Sequence, residues 1–247
     1  MRRRVKKHLP NAITCANLFS GCIGIVFTFQ DNLVFASYAI FLAAIFDFFD
    51  GFASRVLNSF SCIGKDLDSL ADMVSFGVLP SAIMYELLLR APQIEGVSQW
   101  LNFIAFLIPV FSALRLAKFN TDTRQAESFI GLPTPANAIL IASIPLILIQ
   151  YEGISRYILN PYGLSAFIIV MCTLLVAEIP LMSLKFKNRD FNKNFYRYLL
   201  LLFSAILILF FKFAAVPVVI VMYITLSLIQ LKFADNTVMS GSQKNHS

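Results

Sequence analysis

Apolar runs of bilayer-spanning length follow one another along this chain, with only short polar breaks between them. A spanning helix needs about 20 predominantly apolar residues. That window finds eight candidates, at 11–29, 33–54, 67–89, 98–118, 132–150, 159–184, 195–212 and 214–231. Between the last two, only Lys212 and Pro217 interrupt the run, and Pro217 suits a first helical turn. No polar stretch between them is long enough for a soluble domain. With 58% apolar and 14% charged residues, the chain carries more apolar surface than one soluble core can cover. A disordered chain is excluded for the opposite reason. The expected fold is all-α, a polytopic membrane bundle of about eight transmembrane helices. Residues 1–233 are expected to form the membrane domain, and 234–247 a polar, mobile, cytoplasmic tail.

The basic residues orient these runs. If the N-terminus is cytoplasmic, all but Arg90, Arg156 and Lys212 of the 20 Lys and Arg lie on the cytoplasmic side. Both termini are then expected inside, and losing one crossing would scramble the pattern. The start MRRRVKKHLP reads as a cytoplasmic anchor rather than a cleaved leader, because no clear small-x-small site follows. In such a chain the net charge of +6 marks topology, and no nucleic-acid partner is expected.

Scarce residue types close further options. The only histidines are His8 and His246, so a His-based triad or His-rich metal site inside the membrane domain is excluded. The four cysteines lack C-x-x-C spacing and read as apolar fillers.

Ionisable groups at membrane depth cost about 2.5–3.5 kcal/mol each on insertion scales, so each needs a reason. Near the cytoplasmic end of the second run lie Asp47 and Asp50, at i, i+3 among phenylalanines. The third run opens with Asp68 and Asp72 at i, i+4. Two carboxylate pairs on consecutive helices joined by a short loop become neighbours, and unpaired they repel strongly. Clustered oxygen ligands suit Mg²⁺, Mn²⁺ or Ca²⁺. Two such ions about 4 Å apart can clamp the attacking and leaving oxygens of a phosphoryl displacement. Gly51 and Gly64 leave room beside the cluster, and Arg55 is placed to hold a phosphate. The active site is therefore expected at the cytoplasmic edge of the second and third helices.

Asp47, Asp50, Gly51, Arg55, Gly64, Asp68 and Asp72 fall on the signature D-x-x-D-G-x-x-A-R-(x)8-G-x-x-x-D-x-x-x-D, with Ser54 in place of its alanine. The chain thus resembles the CDP-alcohol phosphatidyltransferase family. Further stretches resemble its phosphatidylserine synthase branch: PNAITCANLFSG at 10–21, SFGVLPSAIMY at 75–85, RLAKFN at 115–120 and FIGLPTPANA at 129–138.

The resemblance implies transfer of a phosphatidyl group from CDP-diacylglycerol to the hydroxyl of L-serine, giving phosphatidylserine and CMP. It implies two divalent cations on Asp47, Asp50, Asp68 and Asp72, with Asp72 as general base. By the same analogy Gly51, Arg55, Ser61 and Gly64 line the CDP part, joined by Asn11, Thr14 and Asn17 from the first span. A homodimer in a bacterial cytoplasmic membrane is likewise implied. L-serine needs a cation for its carboxylate and an acceptor for its ammonium, for which Arg115, Lys118 and Asn120 are candidates. Two rival readings are the same chemistry with glycerol phosphate or inositol phosphate, and a divalent-cation transporter. Transport needs ligands near the midplane and access from both sides, whereas these carboxylates gather at one edge. No repeat is visible in the sequence.

Overall fold

The computed structural model describes residues 2–59, 62–92, 98–122, 129–182 and 194–243, and these are almost wholly helical. They fall into two compact units, Met1–Thr121 with Pro133–Val176, and Asp122–Leu132 with Ala177–Ser247.

In the first unit, α1 (Arg2–Phe29) and α2 (Leu33–Val56) pack along each other. Helix α1 begins well before the apolar run, because the basic residues ahead of it are good helix formers. Small residues let the two backbones approach. Ser20 Oγ donates to the Ala39 carbonyl at 2.9 Å, and a Cβ on Gly24 would lie 2.9 Å from that of Ala39. Lipid tails are as apolar as leucine, so close packing and hydrogen bonds of this kind hold membrane helices together. The turn between the helices carries Asp31 at φ 60, and Asn32 caps α2 by accepting from Phe35 N at 3.3 Å. Arg90 pairs with the Asp31 carboxylate and donates to its carbonyl at 3.1 Å.

The third run is one helix with a widened turn. It comprises α3 (Cys62–Met73), a π turn (Val74–Val78) and α4 (Leu79–Arg90). Pro80 accounts for the widening. In a regular helix its ring would strike the carbonyl of Phe76, four residues back. Instead the Leu79 N–H reaches back five residues to the Val74 carbonyl. Phe76, Leu79, Ile83, Met84, Leu87 and Leu88 are fully buried, so this helix runs through the core of the unit. Around it lie α1, α2, α6 (Leu107–Thr121), α7 (Thr134–Gln150) and α9 (Pro161–Val176). Helix α6 is preceded by the short α5 (Ser98–Leu101) and a 3-10 segment (Asn102–Phe106). A 3-10 turn (Glu152–Ile154) and the short α8 (Ser155–Ile158) link α7 to α9.

Helix α9 stops at Val176, short of the 184 expected from hydropathy. Pro180 lacks an N–H and biases the residue before it toward extended backbone, so the chain leaves the helix there. In the second unit, β1 (Phe129–Ile130) pairs antiparallel with β2 (Pro180–Leu181), in the register Phe129 to Leu181 and Ile130 to Pro180. Gly131, at φ 75, donates to the Ile179 carbonyl at 2.9 Å. Helices α10 (Phe195–Phe211) and α11 (Ala215–Gln243) pack on each other after a break at Lys212, whose φ is 49. Tyr223 and Ser227 of α11 hydrogen-bond the backbone of Met182, beside β2. Helix α11 continues to Gln243, carrying helical backbone into the segment expected to be a tail.

Among the described residues, five helical stretches are long and apolar enough to cross a membrane: His8–Phe29, Leu33–Val56, Ile63–Arg90, Asn102–Thr121 and Phe195–Leu231, the last spanning both α10 and α11. Thr134–Gln150 and Pro161–Val176 are apolar but shorter.

The contact between α1 and the π turn is tightest at Gly21. A Cβ there would collide with Ser75 Oγ and lie 3.0 Å from Ser75 Cα. Gly21→Val is therefore expected to destabilise the protein by about 1–3 kcal/mol through overpacking. Gly153→Ala, whose Cβ meets nothing within 4 Å, is expected to be neutral. Thermal unfolding of the two variants in detergent checks the contrast.

Candidate active site

The C-terminal end of α2 and the following helix α3 bring their carboxylates together. Asp47, Asp50 and Asp68 each offer an oxygen within 4.8 Å of the others. Asp50 is buried, and the other two are half-buried. Buried atoms Asp50 Oδ2 and Asp68 Oδ1 have no hydrogen-bond partner among the described residues. None of the three forms an ion pair among those residues. Burying an uncompensated carboxylate costs several kcal/mol, so three at this spacing call for a cation. Their all-oxygen donor set fits a hard divalent ion.

Asp72 lies one turn further along α3, outside this trio, with Asp47 and Asp68 as its strongest like-charge neighbours. It is 8% exposed and held from α1, where Asn17 Nδ2 donates to its Oδ1 at 3.3 Å. The Ser75 hydroxyl donates to the Asn17 carbonyl at 3.0 Å. The π turn therefore has a visible consequence: it presents Ser75 to α1 where Gly21 leaves space.

Beside the trio is a cavity of about 210 Å³, lined by Pro10, Asn11 and Thr14 of α1, Asp50, Gly51 and Ser54 of α2, then Ser59, Gly64, Lys65 and Asp68. Four of the residues expected around the CDP part, Asn11, Thr14, Gly51 and Gly64, share this one wall. The Thr14 hydroxyl has two acceptors in reach, the Pro10 carbonyl at 3.0 Å and the Asp50 carboxylate. Exposed Arg55 donates through Nε to the Gly51 carbonyl at 2.8 Å and is not among the lining residues. Ser61 lies outside the described residues. Ser54, the departure from the family pattern, accepts the Ser59 N–H on its carbonyl at 3.0 Å, closing the turn after α2. Lys65 and Ser59 were not expected in the lining. Lys65 follows Gly64 inside the signature, where it reads as an ordinary cytoplasmic anchor.

The three residues proposed for an acceptor separate. Arg115 points inward, 7% exposed, with Nη1 3.3 Å from Thr134 Oγ1 and its guanidinium 5.6 Å from the Phe119 ring centroid. Asn120 is tied to α3, donating to Ser69 Oγ at 2.8 Å and accepting Lys65 Nζ on its carbonyl at 2.9 Å. Lys118 is exposed and joins neither group.

A model of the CDP-alcohol phosphatidyltransferase family matches residues 7–178, ending close to the boundary of the first unit. Among curated relatives, the CDP-diacylglycerol–serine O-phosphatidyltransferase of Bacillus subtilis is 37% identical over 128 residues, covering 52% of this chain and 70% of that protein. The enzyme of the same name from Helicobacter pylori strain 26695 is 30% identical over 204 residues, 81% of each chain. Archaetidylserine synthase of Methanothermobacter thermautotrophicus is 32% identical over 140 residues, 56% of this chain and 58% of that one.

If the trio holds a cation, Asp50→Asn removes one charged ligand of three. Mn²⁺ binding to the purified protein, followed by calorimetry, is expected to weaken at least about tenfold. Unchanged affinity would place the ion elsewhere.

Proposed function

Because the chain belongs to the CDP-alcohol phosphatidyltransferase family, and is an integral membrane protein by its long apolar helices, we propose that it moves the phosphatidyl group of CDP-diacylglycerol onto L-serine, releasing CMP. The observation that carries this reading is the convergence of four signature residues, Asp50, Gly51, Gly64 and Asp68, on one cavity, with three carboxylates beside it that lack a counter-charge among the described residues. Serine is the headgroup that the names of the relatives share, across a phosphatidyl and an archaetidyl lipid.

In this reading the donor's head group occupies the cavity. Asn11 and Thr14 face it from α1, and Gly51 leaves its floor open, since a Cβ there would meet only Arg55 Nη2 at 3.8 Å. Lys65, within the lining, and Arg55 and Ser61, beside it in the sequence, supply cationic and hydroxyl groups for phosphate oxygens. Two divalent cations, Mg²⁺ or Mn²⁺, on Asp47, Asp50, Asp68 and Asp72 would supply charge neutralisation at the diphosphate. Asp72 is the general base and takes the proton of the serine hydroxyl. Asn17 is a positioning residue, fixing the Asp72 carboxylate through its Nδ2 bond. As the serine oxygen bonds to the lipid-side phosphorus, the bond from that phosphorus to the oxygen of CMP breaks, and CMP departs with the pair. Serine's charged groups are assigned to Arg115 and its surroundings. Lys118 and Asn120 stand nearer the cytoplasmic mouth.

Eight crossings with both termini in the cytoplasm follow from the eight apolar runs and the distribution of basic residues. A homodimer in the bacterial cytoplasmic membrane completes the proposal.

Purified protein given CDP-diacylglycerol and Mn²⁺ is expected to release CMP only when L-serine is added, with phosphatidylserine as the lipid product. Asp72→Asn is expected to be inactive. Asn17→Leu is expected to lose about 10- to 100-fold in kcat, as partners that orient catalytic ligands do, with the KM for both substrates little changed. Release dependent on glycerol phosphate or inositol phosphate would replace the acceptor and keep the family.

A further inference from the structure

We infer that Asn137 is a specificity-determining residue that accepts the ammonium group of the acceptor amino acid, acting together with Arg115 and Thr134. The inference rests on the serine reading above and adds a residue and a role to it. Asn137 is fully buried in α7, yet neither its Oδ1 nor its Nδ2 has a hydrogen-bond partner among the described residues. A buried amide left open at both ends bears the desolvation cost with no return. An apolar residue of the same volume would serve the fold at least as well. A polar group retained at such a place is accounted for by a ligand that fills its valences.

The neighbours say which ligand. Thr134 is one turn earlier on the same face of α7, fully buried, and accepts from the guanidinium of Arg115. The hydroxyl that accepts from a shielded cation and an unfilled amide carbonyl thus stand one helical turn apart along α7. A zwitterionic amino acid carries a carboxylate and an ammonium on one carbon. Arg115 takes the first, and Asn137 Oδ1, an acceptor, takes the second. These residues also border the helix that carries the base. Both α6 and α7 pack on the π turn that follows Asp72, and a Cβ on Gly77 would sit 3.3 Å from that of Ser112, one turn before Arg115.

The test measures initial rates of CMP release by the full-length enzyme in CDP-diacylglycerol micelles with Mn²⁺, for wild type, Asn137→Leu and Asn137→Asp, alongside thermal unfolding of each. Asn137→Leu is expected to raise the KM for L-serine by at least about tenfold, since sites built to hydrogen-bond a substrate discriminate strongly on that bond. Its KM for CDP-diacylglycerol is expected to stay within about twofold. Its unfolding midpoint is expected not to fall, because two open polar atoms leave the interior. Asn137→Asp keeps the acceptor and is expected to use serine better than the leucine variant. A serine KM unchanged in Asn137→Leu overturns the inference. So does a lowered midpoint with both KM values and kcat shifted together, which marks a structural residue filled by water. An aspartate variant no better than leucine, with its midpoint intact, overturns the ammonium role. If wild type uses another alcohol and not serine, the functional reading itself falls, and the wild-type arm alone reports that.

Discussion

Mutual repulsion among Asp47, Asp50 and Asp68, held within 4.8 Å of one another, sets a demand that the surrounding helices must meet. Like charges at that distance push α2 and α3 apart unless a cation joins them or packing elsewhere holds them. The packing lies further along both helices, away from the carboxylate end. Helix α2 presents Ala36, Ala39 and Ala43 as buried contacts, and the third helix places six large apolar side chains at the centre of the first unit. At the opposite end from the carboxylates, Arg90 of α4 fastens to the turn before α2 through Asp31. The two carboxylate-bearing helices are thus tied together at the end where charge does not separate them. A cation bound there would complete a site rather than assemble one.

Helix α1 contributes no carboxylate, yet it serves both halves of the site. Asn11 and Thr14 line the cavity, and one turn on Asn17 holds Asp72. Its register against α3 follows from Pro80. That proline widens the helix one turn after Asp72, and the widened turn delivers Ser75 to the Asn17 carbonyl in the gap left by Gly21. A proline buried in the membrane domain thereby acts on the position of a carboxylate two turns away, without touching it.

Much of this was legible in the residues. Four aspartates at i, i+3 and i, i+4 on consecutive apolar runs announce a cation site, because bilayer insertion makes each of them costly. The helical starts and stops were less visible. Hydropathy placed the first helix at 11 and ended the sixth at 184, whereas helix propensity in the basic leader and the backbone limits of Pro180 put those ends at Arg2 and Val176. Arg115 and Lys118 look equivalent as cytoplasmic-edge cations. Only the packing of α7 turns the first inward and leaves the second exposed. Asn137 lies in the FIGLPTPANA stretch, but nothing in the sequence singles it out there, since one asparagine in a spanning helix costs little in a hydropathy sum.

The sequence by itself determined that the chain is a membrane helical bundle, which helices carry the acidic pairs, and which family signature they form. These are properties of composition and of spacing along one helix, and a 3.6-residue period translates spacing into a shared face without reference to any other part of the chain. Tertiary structure alone decided that Asp72 stands apart from the trio, that Asn17 holds Asp72 and Lys65 lines the cavity, and that Asn137 is buried with its amide open among the described residues. Each of those depends on which helix lies opposite and at what height. In a bilayer every helix satisfies its own backbone, so that choice is left to side-chain fit between segments distant in sequence.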